Sequence, residues 1–153
     1  MNQSPKITVE ELAPMRIARV SIEDENPEIK AFSALIEWAG KNAPEALENA
    51  RFFGFNDPCP EEGQKIYKYE AWMTVGDDAR AEDNVTIETY KGGKYAVRVT
   101  PLSDIVEIWH GFEAVVKAAG YEVGKGPGLE EPLTHPVRTP FDKARMKLYF
   151  PIR

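Results

Sequence analysis

Trp72 and Tyr149 are the residues whose types and spacing most suggest chemistry. Each stands in an alternating segment, Tyr67 to Val75 in the first case and Ala144 to Ile152 in the second. In a strand, successive side chains point to opposite faces. Tyr67, Tyr69, Ala71, Met73 and Val75 therefore share one side of the first segment. Ala144, Met146, Leu148, Phe150 and Ile152 share one side of the second. These largely apolar sets are expected to pack under helices. The opposite sides carry Lys68, Glu70, Trp72 and Thr74, then Arg145, Lys147 and Tyr149. Aligned about 77 positions apart, the two segments set Trp72 opposite Tyr149. Aromatic faces beside a carboxylate suit cation capture, each ring contributing roughly 0.5–2 kcal/mol. Two plainer readings stand beside it. Strand propensity alone places aromatics on solvent faces, and Glu70 could form a cross-strand ion pair with Lys147 or Arg145.

Other chemistries lack their residues. His110 and His135 do not have the paired spacing of a metal site, and Cys59 has no second cysteine. No metal and no cofactor is expected. Gly124-Lys125-Gly126-Pro127-Gly128 looks like a phosphate loop, but no helix follows and Pro127 removes an amide donor. No Ser-His-Asp or Cys-His set can be assembled from two histidines, one of them in a turn-rich stretch. The acidic run Glu23-Asp24-Glu25 reads as solvated.

Composition narrows the partners. The chain has 153 residues, enough for one domain with a substantial core, with 25 acidic against 19 basic side chains and a net charge of −6. A duplex-binding surface needs a concentrated basic stripe, and none is present, so direct nucleic-acid binding is not expected. No apolar run reaches the roughly 20 residues of a membrane span. Met1-Asn2-Gln3-Ser4-Pro5 lacks the basic-then-apolar order of a signal peptide. A lone cysteine fits a reducing compartment, so a cytoplasmic location is expected.

The elements that must position Trp72 and Tyr149 occur twice. Ile7 to Leu12 and Val85 to Tyr90 alternate apolar and polar residues, as half-buried strands do. Each is followed by a short turn (Ala13-Pro14; Lys91-Gly92-Gly93) and a second strand, Arg16 to Val20 and Lys94 to Val99. Helical spacing then groups Ile29, Phe32, Ile36 and Ala39 between about Pro27 and Lys41. It groups Ile105, Ile108, Trp109, Phe112, Val116 and Ala119 in the second half, with Ser103 or Asp104 as N-cap and Gly120 as the stop. Strands ending in turns follow, Phe53 to Pro58 and Glu131 to Pro136, before the closing strands. The expectation is one α+β domain over 1–153, a tandem pseudo-symmetric repeat of strand-strand-helix-strand-strand modules at about 7–75 and 85–152. Its sheets are antiparallel, with both helices on one side and a cleft between the halves.

These segments resemble the GyrI-like small-molecule-binding domain, which also forms the effector-binding half of AraC- and MerR-type multidrug regulators. The resemblance is carried by Arg16 to Val20, Gly54-Phe55-Asn56-Asp57-Pro58, Tyr67 to Ala71 and Gly92 to Val97. Trp109, Glu130, Thr134-His135-Pro136 and Leu148 to Ile152 complete it. It implies a cleft that takes hydrophobic, often cationic aromatic compounds between rings, with a buried glutamate as counter-charge. Glu130 sits where that glutamate belongs. Pro132 stands where the family usually has tyrosine, and Lys30 and Ala31 where an early helix tryptophan is common. The resemblance includes no DNA-binding segment, so a transcription factor acting alone is not expected.

The candidate ligand-binding residues are thus Glu130, Trp72, Tyr149, Glu70, Trp109 and Phe52. Glu131 favours a surface role for one member of the adjacent Glu130-Glu131 pair, since neighbours in a strand point opposite ways. Trp109 lies in an apolar helix stripe, the usual place of a core anchor, and could still floor the cleft. Trp38, at the border of its stripe, suits rim packing or a subunit contact. Phe52 is the counterpart of Glu130 at an offset of 78. The leading function is a stand-alone protein, monomer or homodimer, that senses or sequesters an amphipathic small molecule. Two others follow from the resemblance. One is a hydrolase of strained-ring DNA-alkylating natural products with Glu130 as catalytic general base. The other is an inhibitor whose acidic surface engages DNA gyrase.

Overall fold

The computed structural model of the chain describes residues 6–82 and 84–153. Met1 to Pro5, read above for a targeting signal, and Asp83 lie outside the described residues. The strands and long helices run β1 (Thr8–Leu12), β2 (Met15–Glu25), α1 (Pro27–Asn42), β3 (Phe52–Asn56) and β4 (Ile66–Thr74). The same order repeats as β5 (Thr86–Tyr90), β6 (Gly93–Pro101), α2 (Ile105–Ala118), β7 (Leu129–Pro132) and β8 (Arg145–Pro151). The α+β repeat of strand-strand-helix-strand-strand is therefore present twice, and the pairings inside each half are antiparallel.

The compact units do not follow the sequence halves. Pro14–Lys91 forms one unit, and Met1–Ala13 with Gly92–Arg153 forms the other. Neither short connection closes a hairpin: β1 pairs with β6, and β5 pairs with β2. Ala13-Pro14 lacks the chemistry for a two-residue hairpin, which needs positive φ at one or both positions, whereas proline is fixed near −65°. The opening strand of each repeat is thereby lodged in the unit built by the other. The modules expected at about 7–75 and 85–152 thus have their first strands exchanged.

In the unit of residues 14–91 the strand order is β5-β2-β4-β3. One face of this sheet receives α1, whose buried Ala31, Phe32, Leu35, Trp38 and Ala39 recur at helical spacing. Phe32 meets Tyr69 of β4 edge-on, with ring centroids 5.8 Å apart. Pro27 starts the helix, where its missing N–H costs nothing. Ile29, expected on the apolar stripe, is exposed. Gly54 of β3 lies against the Tyr69 phenol so closely that a Cβ would collide with the ring.

In the other unit the order is β1-β6-β8-β7. Here α2 seats Phe112 and Val116 on Ala96, Met146, Leu148 and Ile152. Asp104 is the N-cap residue, without a side-chain capping bond. Gly120 takes φ +90 just beyond the helix, the left-handed stop that glycine tolerates best. Residues 133–136 lie outside any strand, so the strand expected from Glu131 begins two residues earlier and ends at Pro132. Among the described residues no helix is long and apolar enough to cross a membrane.

Candidate functional site

Each unit has a sheet face turned away from its helix, and those two faces carry the chemistry. In the 14–91 unit, register places Phe53 opposite Trp72 and Phe55 opposite Glu70 across β3 and β4. Arg19 of β2 lies opposite Trp72. Trp72 is buried, edge-on to Phe55 at 5.4 Å and tilted against Tyr90 at 5.2 Å. Its Nε1–H is enclosed and has no hydrogen-bond acceptor among the described residues. Indole nitrogen only donates, and Phe55, edge-on to it, has no lone pair to offer. A buried polar group in this state costs free energy that an incoming acceptor would recover.

Beside that indole, Glu70 is 2% exposed and bonded to Arg19 Nη2. Nη1 of the same guanidinium donates to Glu88 Oε2 at 3.0 Å. Burial draws the Arg19 pKa down, but its hydrogen bonds to Glu88 and Glu70 and their charges outweigh it, and the net shift is upward. Arg19 is therefore cationic throughout the range in which carboxylates and histidines titrate. This cluster holds two carboxylates and one cation.

In the other unit the equivalent face centres on Tyr149, which is wholly buried. Its hydroxyl donates to Glu131 Oε1 at 2.5 Å, and Tyr95 meets its ring edge-on at 5.6 Å. Lys147 Nζ lies 5.4 Å from the Tyr149 ring centroid and 2.9 Å from Glu10 Oε1. Glu131 is itself buried. Again two carboxylates accompany one cation, but here the phenol has its acceptor.

Glu130 lies on the other side of that sheet. Register pairs it with Leu148, on the helix face, while Glu131 is paired with Lys147. Its Oε1 accepts from Trp109 Nε1 of α2 at 3.0 Å. The expectation that Glu130 shares a face with Tyr149 is thus corrected: β7 begins at Leu129, and the alternation assigns that face to Glu131. Trp109 tilts against Phe112 at 5.6 Å, the packing of a core anchor. Phe52 also lies on a helix face, opposite Met73 and edge-on to Phe32 at 6.1 Å. Register makes Gly54, not Phe52, the counterpart of Glu130, because Gly54 pairs with Ala71 as Glu130 pairs with Leu148.

Of the six expected residues, the structure brings Trp72 and Glu70 onto one face and joins Trp109 to Glu130. It does not put Glu130 with Tyr149, nor Phe52 with Trp72. Glu70 is bonded to Arg19 in place of the expected Lys147 or Arg145, and Lys147 is paired with Glu10. Reading the sequence missed Arg19, Glu88, Phe55 and Tyr90 around Trp72. A signal for Arg19 was present: Ile17, Arg19 and Ser21 alternate with apolar Ala18, Val20 and Ile22, which marks Arg19 as facing away from α1.

A repeated ββαββ unit with an aromatic and a buried carboxylate on each helix-free face is the architecture of a small effector-binding domain. Residues 8–152 match the Cass2 family of integron-associated effector binding proteins, and the chain belongs to that family. The resemblance to GyrI-like domains is borne out by this match and by the fold. The C-terminal domain of EcmrR superposes with a TM-score of 0.72 at 13% identity, covering 97% of each chain. EcmrR in its complex with DNA gives a TM-score of 0.68 at 12% identity. There the match covers 97% of this chain but 57% of that one, so this chain spans little more than half its length. The integron cassette protein VCH_CASS2 of Vibrio cholerae gives 0.53 at 11% identity over 96% and 95% of the two chains. A hydrolase from Listeria innocua gives 0.61 at 12% identity over 97% and 93%. Identities this low establish a shared fold and nothing about chemistry. No curated protein sequence matches the chain.

Proposed function

We propose that this protein binds an amphipathic aromatic cation, to sense or sequester it, and that the Trp72 face supplies the principal contacts. The supporting observation is the Trp72 ring, packed against Phe55 and Tyr90 beside the buried Glu70 carboxylate, an aromatic-and-acid pairing that suits a delocalised cation. Ligand sites combine apolar walls with a few fixed polar groups, and this face has both. Two carboxylates against one cation leave the cluster with an excess of negative charge, which favours a positive ligand. In this reading Glu70 takes the counter-charge role first assigned to Glu130.

Quenching of tryptophan fluorescence by crystal violet, a delocalised aromatic cation, tests the reading. Trp72→Ala is expected to raise Kd at least tenfold, about 1.4 kcal/mol, with the fold retained by circular dichroism. Equal affinity in the two proteins would remove Trp72 from the site. The expected stoichiometry is one dye per chain. Catalytic consumption of an excess of a strained-ring electrophile would instead place the protein among hydrolases.

A further inference from the structure

We propose that Arg19 determines ligand charge on the Trp72 face, standing in for the ligand's cation on Glu70 until a cationic ligand displaces it onto Glu88. The inference rests on the function proposed above and adds to it a built-in competitor.

Three observations carry it. The first is the order of strands: β5, β2 and β4 lie side by side, and Glu88, Arg19 and Glu70, each two positions out of register with the next, form one diagonal row across the helix-free face. One guanidinium nitrogen serves each carboxylate. The second is the burial gradient along that row. Glu70 is 2% exposed, Arg19 36% and Glu88 47%. Arg19 can therefore leave the buried acid without losing its charge partner, since Glu88 remains bonded at the accessible end. Glu70 cannot do the reverse, because a buried carboxylate without a cation is strongly penalised. The third is the position of Trp72, directly opposite Arg19 in register.

These facts make the exchange selective. A ligand that settles between Trp72 and Glu70 must move the guanidinium, and only a positive group restores what Glu70 loses. A neutral aromatic of the same shape offers no replacement and meets Arg19 still in place. The counterpart of Arg19 in the other unit is Val97, opposite Tyr149, and the cation of that face, Lys147, is bonded to the half-exposed Glu10.

A double-mutant cycle with crystal violet as the probe tests displacement against simple charge proximity. Arg19→Met is expected to bind the dye about tenfold more tightly than the parent protein. Glu88→Gln removes the resting place of the displaced guanidinium and is expected to weaken binding about threefold. In the Arg19→Met background Glu88→Gln should change nothing, because no guanidinium remains to be moved. An equal cost of Glu88→Gln in both backgrounds overturns the proposal, as does an Arg19→Met protein that binds no more tightly. Should Arg19→Met not fold, Arg19→Lys decides. It keeps the charge but cannot fork across two carboxylates, so binding about threefold tighter supports displacement and unchanged or weaker binding refutes it. Absence of dye binding by the parent protein and every variant would defeat the functional reading itself, an outcome distinct from binding without the Arg19 effect.

Discussion

The two helix-free faces occupy equivalent strands and differ in how their polar groups are satisfied. Trp72 and Tyr149 hold matching positions, as do Glu88 and Glu10 on the flanking edge strands. The other pairs are exchanged in character: Glu70 corresponds to Lys147, Phe55 to Glu131 and Arg19 to Val97. Tyr149 has its acceptor because Glu131 stands on the neighbouring strand. The same place beside Trp72 is Phe55, an aromatic with no lone pair to offer, and so the indole N–H has no partner among the described residues. The Tyr149 face has closed the hydrogen bond of its central aromatic internally, and among the described residues the Trp72 face has left its own open. Under the proposed function, the face left open is the one that takes the ligand.

The helix side of each sheet breaks the comparison most severely. Gly54→Ala in the 14–91 unit drives a methyl group into the buried Tyr69 ring. A loss of about 2–3 kcal/mol in urea unfolding is expected. Its counterpart Glu130 carries a full side chain, since there the space opposite is taken by a hydrogen bond to Trp109. A stability unchanged by Gly54→Ala would mean that the two sheets tolerate the same bulk.

The contrast between Tyr149 and Trp72 is sharpened by the matched pair Tyr149→Phe and Trp72→Phe. Removing the Tyr149 hydroxyl takes a donor from buried Glu131 and should cost about 1–2 kcal/mol. Removing the Trp72 N–H deletes a donor that is not in use, so only the change in ring size is felt, about 1 kcal/mol or less. Thermal and urea melts compare the two directly, and equal losses would erase the distinction between closed and open faces.

The smallest effect distinguishes the units by pH. Burial, then the charge of Arg138, lowers the His135 pKa below its ordinary 6.5. The neutral ring is favoured because Nδ1 accepts from the amides of Val137 and Arg138. With the folded value depressed, this contribution is fully present above the ordinary histidine pKa and is lost as pH falls through the folded one. Protection factors at Val137 and Arg138, which divide out the slower intrinsic exchange at lower pH, should therefore fall as pH goes from 7.5 to 5. Asp24, in the other unit, is lowered by its bond to Lys30 and the amide of Glu25, and its contribution persists until pH falls below the usual carboxylate range. A uniform fall of protection factors in both units over that window would remove the difference.

Much of this was legible before any coordinates. The two copies, the helices at Pro27 and Ile105, and the facing of Trp72, Glu70 and Tyr149 all follow from periods of 2 and 3.6, which are local properties of the chain. What escaped was register. Glu130 and Glu131 are neighbours, and a shift of one residue exchanges which of them faces Tyr149. The turn-rich surroundings of β7 gave no alternation long enough to choose between them. Arg19 escaped for a related reason: its partners lie on β4 and β5, far along the chain, and the exchange of first strands decided which edge strand stands beside β2.

The amino-acid order by itself determined which side chains share a face, because backbone geometry imposes the alternation within each strand. Only the tertiary structure decided which strands lie side by side and at what offset. Those pairings are set by long-range packing of the apolar faces beneath α1 and α2, and through them the structure gave Tyr149 its acceptor, left Trp72 without one among the described residues, and placed Arg19 between two acids.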